Sequence, residues 1–359
     1  MQRYHGGRVS PQVVDFSSPS NPLGPPPVVD EILLDSVRDR GYTRYPDYEY
    51  KVFREAVAEL YNVDPGSLVP LNGSAEALQL LIPVLKPEVM VSLEPTFGDH
   101  GIQSYSAKIP LVTIPYVVKG SRYEVDPSVY CNLPGEFKAH SLVLLSNPNN
   151  PTGALTPKRV LEELLSCSKD NTVIVVDEAF SDFTGNRESL LGLDDDRVIV
   201  LRSFTKIFSI QGLRVGFLYT GSRRMARLLD SFRQPWNVNS LAVEVTVKLL
   251  KWDGLRDYLR ATLEVVEVER LFLEEHLKRL GFEVYESKAP FLLIRHSMPH
   301  PYFNKELLEN GLFVRDASTF LYLTPYHSRV SVRLRGDNTR LLEVLEKLVH
   351  KSILEGVHV

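Results

Sequence analysis

Five short runs, VMVSL (89–93), SLVLLS (141–146), TVIVVD (172–177), VIVLRS (198–203) and RVGFLY (214–219), are apolar at nearly every residue and rich in β-branched side chains. A strand with one wet face alternates in polarity. A strand with no polar face must be covered on both sides, the condition of a parallel sheet layered by helices. Stretches of helical spacing fall among the runs: SAEALQLLIPVL (74–85), PKRVLEELLSCS (157–168) and SRRMARLLDSFR (222–233). The pattern predicts a large α/β domain over 28–240 with a mainly parallel sheet. Beyond it, a long helical stretch from Ser240 to Leu280 precedes FEVYE, FLLIRH, GLFVRD, RVSVRLR and a terminal helix near 339–354. That mixture predicts a smaller α+β domain, 241–359, completed by an N-terminal arm, 1–27. In the arm, SSPSNPLGPPP (17–27) reads as extended, because proline fixes its own φ and disfavours helix at the residue before it.

Several function classes drop out. A net charge of -4 leaves no basic field for a nucleic-acid backbone. No apolar stretch has the length of a membrane span, and MQRYHGGRVSPQVVDF holds no signal-peptide core. Cys131 and Cys167 stand far apart in the sequence without a CxxC motif, which fits a reducing cytoplasm. No strand is followed by GxGxxG, and no GxxxxGK[ST] occurs. His296 and His300 have a metal-ligand spacing, but Pro299 and Pro301 deny them a regular helix, so no metal site is expected.

Ligands gather at the carboxyl ends of open parallel sheets. There the runs are followed by Glu94-Pro95-Thr96-Phe97, by NPNNPTG (147–153), by Asp177-Glu178-Ala179-Phe180 and by Ser203-Phe204-Thr205-Lys206. Asn72-Gly73-Ser74 precedes a helix, with Ser74 as its cap and free amides at Ala75 and Glu76, a place that favours phosphate. One chemistry uses all of these. Pyridoxal phosphate needs a lysine (Lys206), a carboxylate for its pyridine nitrogen (Asp177) and an aromatic ring to stack on it (Phe97). It also needs a donor to its phenolate oxygen (Asn150) and a phosphate cup (Ser74, Ser203, Arg214).

NPNNPTG, DEAF, and SFTK followed by GLRVG resemble, in this order and spacing, the fold-type I pyridoxal-phosphate enzymes of the histidinol-phosphate aminotransferase branch. The resemblance runs from the arm to the last strands. Within the branch, His5-Gly6-Gly7, DFSSPSNPLG (15–24), YPDYEY (45–50), PWNVNSLA (235–242) and FLLIR (291–295) are more similar to the threonine-phosphate decarboxylases of cobalamin synthesis. Phe180 stands where the aminotransferases tend to have a tyrosine, Ala75 where an acidic residue is usual, and Arg8 where relatives tend to have Asn.

The resemblance implies a homodimer with shared active sites, in which Tyr45 reaches the cofactor phosphate of the neighbouring subunit. It also implies a substrate-carboxylate contact from Arg333; Arg315 and His5 are read as contacts to a substrate phosphate, with Gly6, Gly7 and Asn21 as further substrate contacts. Decarboxylation of threonine phosphate and transamination of histidinol phosphate both remain open, since they use the same cofactor site.

Overall fold

The computed structural model describes residues 6–7, 9–97 and 100–354, with the side chains of 352–354 left aside. His5 and Arg8 lie outside the described residues. Seven strands form one sheet in the spatial order Leu68–Leu71, Gly216–Thr220, Val198–Ser203, Val173–Asp177, Ser141–Ser146, Val89–Glu94, Leu111–Pro115. All neighbours are parallel except Gly216–Thr220, which runs antiparallel to both strands beside it. The five apolar runs are five of these strands, and both their faces are covered. Val91, Val143, Ile174, Val176, Val198 and Val200 belong to one core. Met90, Leu142, Leu144, Val175, Ile199 and Leu201 belong to the core on the opposite face, with the helices Ala77–Leu85 and Arg223–Phe232.

Two strands of the sheet were not legible as runs. Leu68–Leu71 contains Pro70, which an edge strand tolerates because one side of its ladder is unused. Leu111–Pro115 is the other edge and is only partly covered.

A second sheet, antiparallel, has the order Glu283–Val284, Phe291–Arg295, His327–Ser331, Arg315–Asp316. The arm packs against it, Phe16 lying in one core with Leu292, Ile294 and Val330, and forms a two-stranded sheet of its own. Val14–Asp15 pairs in parallel with Leu312–Phe313, and the Ser331 amide donates to the Phe16 carbonyl at 2.9 Å. The helical stretch after Ser240 is two helices, Ser240–Leu250 and Leu255–Arg279, the first capped by the Asn239 side chain accepting from the Ala242 amide. The last strand is shorter than RVSVRLR suggests. It stops at Ser331, and Arg335 already begins the helix Arg335–Leu354.

Cys131 and Cys167 are joined as a disulfide, their Cα atoms 5.2 Å apart. This corrects the reading of two separate thiols: 36 residues of sequence say nothing of distance once the helices Pro127–Cys131 and Lys158–Ser166 lie side by side. The expectation of a reducing compartment loses that support.

Candidate active site

The strand registers bring the singled-out residues to one edge. Ser146 is level with Asp177, Asp177 with Leu201, and Ser203 with Gly216, which is level in turn with Leu71. The turns after Leu71, Ser146, Asp177 and Ser203 therefore open on the same rim.

Lys206 lies in the short helix Phe204–Ile207 that follows its strand directly. Burial, reinforced by the charges of Arg329 and Arg214, pulls its amine down to about 8. Asp177 is pushed up to about 6, mainly by burial and further by Glu178; Lys206 and a hydrogen bond from the Ala179 amide at 3.0 Å act against this. The same carboxylate thus supports its own turn and lies within electrostatic reach of the lysine. Ser203 and Thr205 are buried and share a hydrogen bond of 2.7 Å.

The turn after Leu71 differs from expectation. Ser74 makes no capping bond; a single 3-10 turn, Ser74–Glu76, intervenes before the helix. The preceding Gly73 has φ +71°, and a Cβ there would lie 2.5 Å from a terminal nitrogen of Arg214. A Cβ on Gly216 would come within 3.3 Å of the Ser74 amide nitrogen. Gly216 chiefly makes room for the Arg202 carbonyl, which such a Cβ would overlap, whereas Gly73 lets the Arg214 guanidinium lie against the residue just before the Ser74 amide, a cradle suited to an oxyanion. The carboxylate of Glu76 is turned back, accepting from the Asn72 amide at 2.6 Å and from Asn237 at 2.8 Å. Only its backbone is left to face a phosphate.

Asn150 accepts a short hydrogen bond from Arg329, whose other terminal nitrogen donates to the Ser17 carbonyl at 2.6 Å. With its oxygen taken, the Asn150 amide group keeps its donors. Phe180 is buried edge-to-face against Phe291, and the Arg329 guanidinium lies over the Phe291 ring. Having no hydroxyl, Phe180 offers packing and no proton. Phe97 packs beside Tyr285, Ala317 and Phe320.

At the substrate end the residues divide. Arg315 is buried and level with Arg329 on the adjacent strand, and donates to the Asp316 carbonyl and to Thr319. Gly6 and Gly7 lie against Ser17, whose hydroxyl accepts from the Gly7 amide at 3.0 Å. They are thus one residue from the Arg329 contact. Arg333 is elsewhere engaged: it pairs with Asp337 at 2.7 Å and donates to the Asp15 carbonyl at 3.2 Å. Arg329, which the sequence reading passed over, acts with Arg214 on the charge of Lys206. Burial and the neighbouring Arg315 bring its own guanidinium down to about 9. Both arginines of RVSVR fit one face of a strand by spacing, but the strand ends before the second.

Asn21 is bonded within the protein as well. Its side-chain amide donates to the Ile207 carbonyl, Tyr258 and Thr262, and its backbone amide to the Lys206 carbonyl. These bonds fasten the arm to the lysine turn and leave no donor for a substrate. Tyr45 is 77% exposed and stacks on Trp236 at 4.3 Å.

The aminotransferase class I and II profile matches residues 11–348. The chain belongs to that family. It is an enzyme of a pyridoxal-phosphate-dependent family, and the cradle at Gly73, the lowered lysine and the opposed carboxylate fit that cofactor. A protein of Caldanaerobacter subterraneus subsp. tengcongensis, provisionally named threonine-phosphate decarboxylase, is 30% identical over 93% of this chain and 90% of its own length. The histidinol-phosphate aminotransferase of Thermococcus gammatolerans is 29% identical over 94% of this chain and 92% of its own. The crystal structure of the histidinol-phosphate aminotransferase from Clostridium acetobutylicum superposes with a TM-score of 0.83 at 24% identity, covering 94% of this chain and 99% of that one. The fold is that of a fold-type I enzyme. Among the described residues no helix is long and apolar enough to cross a membrane, and no group of side chains suits a metal ion.

Proposed function

We propose that the protein decarboxylates L-threonine O-3-phosphate to (R)-1-amino-2-propanol O-2-phosphate, the step that serves cobalamin synthesis. The observation that supports this most is the pair Arg315 and Arg329, buried and level on adjacent strands, the second of them acting on the charge of Lys206. Two guanidiniums suit a small substrate with two anionic groups, a carboxylate and a phosphate. When bound, pyridoxal phosphate supplies an electron sink for a bond broken at the substrate α-carbon.

The residues would divide the work. Lys206 Nζ would carry the cofactor and, with an amine near 8, return a proton to the α-carbon after carbon dioxide leaves. Asp177 would hold the ring nitrogen protonated, Asn150 would donate to the phenolate oxygen, and Phe97 would cover the ring. Arg214, Ser203 and the Ser74–Glu76 amides would take the cofactor phosphate. Arg329 would fix the substrate carboxylate and Arg315 its phosphate, with His5 and Gly6-Gly7 closing from the arm. Exposed Tyr45, on its Trp236 support, suits a contact to the partner subunit of a homodimer.

Amino transfer from histidinol phosphate to 2-oxoglutarate is the second reading, favoured by the name of the Thermococcus relative. Purified protein given threonine phosphate and no keto acid should release carbon dioxide. No release, together with rapid transfer from histidinol phosphate to 2-oxoglutarate, would replace the first reading by the second.

A further inference from the structure

Glu94 ends its strand, 5% exposed, one residue before the turn that carries Phe97. No role described so far uses it, yet hydrogen bonds converge on it. Its Oε1 accepts from the Ser92 hydroxyl at 2.7 Å, and its Oε2 from the Thr96 amide at 2.8 Å. Ser92 has a single proton and gives it to Glu94, so the 2.7 Å contact between Ser92 and His100 makes the His100 Nδ1–H a donor. His100 is accordingly neutral, burial holding its imidazole down to about 4.

The same counting applies on the other side of the turn. Ser146 gives its proton to Asn149, so Thr96 is the donor in the 2.9 Å contact between the Thr96 and Ser146 hydroxyls. Ser146 also accepts from the Asn150 amide at 3.1 Å, and the Asn149 side chain donates to the Pro95 carbonyl at 2.9 Å. A directed chain of bonds therefore runs from His100 through Ser92 to Glu94, and Thr96 ties that carboxylate to the turn holding Asn150. A carboxylate is the only common side chain that can accept at both ends without offering a proton.

We propose that Glu94 is a positioning residue: it fixes the turn that presents Phe97 to the cofactor ring and, through Thr96 and Ser146, the turn that presents Asn150. This rests on the reading of the Lys206 cluster as the cofactor site. Glu94→Ala leaves the Thr96 amide and the Ser92 hydroxyl without their acceptor, in a place closed to water. Glu94→Gln does not, because its oxygen can take the Thr96 amide while its NH2 donates to Ser92 and His100 changes tautomer to accept. The His100 ring is what makes that rescue possible.

The test is titration of cofactor-free protein with pyridoxal 5′-phosphate, followed by its affinity and by the circular dichroism induced in its visible band, which reports ring orientation. Glu94→Ala should weaken binding about tenfold or more, the order expected for losing a hydrogen bond to a charged group, and diminish the induced band. Glu94→Gln should restore both, and Glu94→Gln combined with His100→Phe should lose them again. If Glu94→Ala does not fold, Thr96→Val isolates the link to Ser146 and should weaken binding and the band to a smaller degree. Variants that melt earlier but bind with parental affinity and an unchanged band would reduce Glu94 to a structural residue and overturn the proposal. So would failure of Glu94→Gln to rescue. Lys206→Ala separates the two readings: a parent protein whose visible band survives that change overturns the assignment of the site itself, whereas loss of the band there with indifference at Glu94 overturns only the positioning role.

Discussion

Removing the charge of Asp177 should stabilise the cofactor-free protein while disabling the holoenzyme. Burial raises this carboxyl from 3.8 to about 6. A shift of that size is worth about 3 kcal/mol at about 1.4 kcal/mol per pKa unit, and it measures what the native state loses by holding the charged form. The folded pKa lies above the unfolded one, so the native protein takes up the proton first as pH falls. The penalty is then full above pH 6 and fades between about 6 and 4. Asp177→Asn keeps an oxygen for the Ala179 amide but adds an NH2 that has to find an acceptor, costing about 1–2 kcal/mol if it finds none. At pH 7.5 the cofactor-free variant should therefore exceed the parent by about 1–2 kcal/mol. At pH 4.5, where the parent carboxyl is protonated, the gap should shrink or reverse. Guanidinium unfolding of both proteins at the two pH values measures it. With pyridoxal phosphate present the order should invert, since only the carboxylate pairs with a protonated ring. A variant less stable than the parent at pH 7.5, or a gap independent of pH, would refute the reasoning.

Cys131→Ser with Cys167→Ser should cost about 4 kcal/mol, the loop-closure value for a separation of 36 residues, with substrate turnover unchanged at low temperature because the bridge joins two helices that carry no site residue; denaturation and a rate assay check the two halves. Arg329→Ala should abolish most substrate turnover, whereas Arg333→Ala should leave it near parental and lower stability by no more than about 1 kcal/mol, as for a part-exposed ion pair; steady-state kinetics of both variants decide it. Gly73→Ala should weaken cofactor binding, since its φ of +71° costs a side chain about 1–3 kcal/mol and the added Cβ displaces Arg214; a binding titration reports the loss.

Much of the fold was legible because it depends on periodicity. Strands buried on both faces write themselves as uninterrupted apolar runs, and the residues that follow them share an edge once the strands are parallel. Lys206, Asp177 and Asn150 were singled out that way, whereas Arg214 opens a run and was singled out for the phosphate it would hold. What escaped depends on where an element stops. Arg329 and Arg333 are indistinguishable by spacing, and only the end of the strand at Ser331 leaves the first in the ladder and sends the second to Asp337. Asn21 sits in a motif, but its partners Tyr258 and Thr262 lie more than two hundred residues away, where no local pattern reaches. The disulfide escaped for the same reason.

The arm's bonds bear on how the protein is made. Residues 14–21 emerge from the ribosome well before the groups that hold them. Asn21 waits for Lys206 and Tyr258, Val14 for Leu312, and Ser17 for Arg329, a separation of 312 residues. Domains generally fold as units from the N-terminal end during synthesis, and contacts this remote close slowly. The seven-stranded sheet, with Lys206 and Asp177, ends at Thr220 and can form while the arm is still without its later partners. A growing chain thus passes through a stage with its lysine rim built and its arginine wall absent, and only the strand His327–Ser331 brings Arg329 to Ser17 and Asn150.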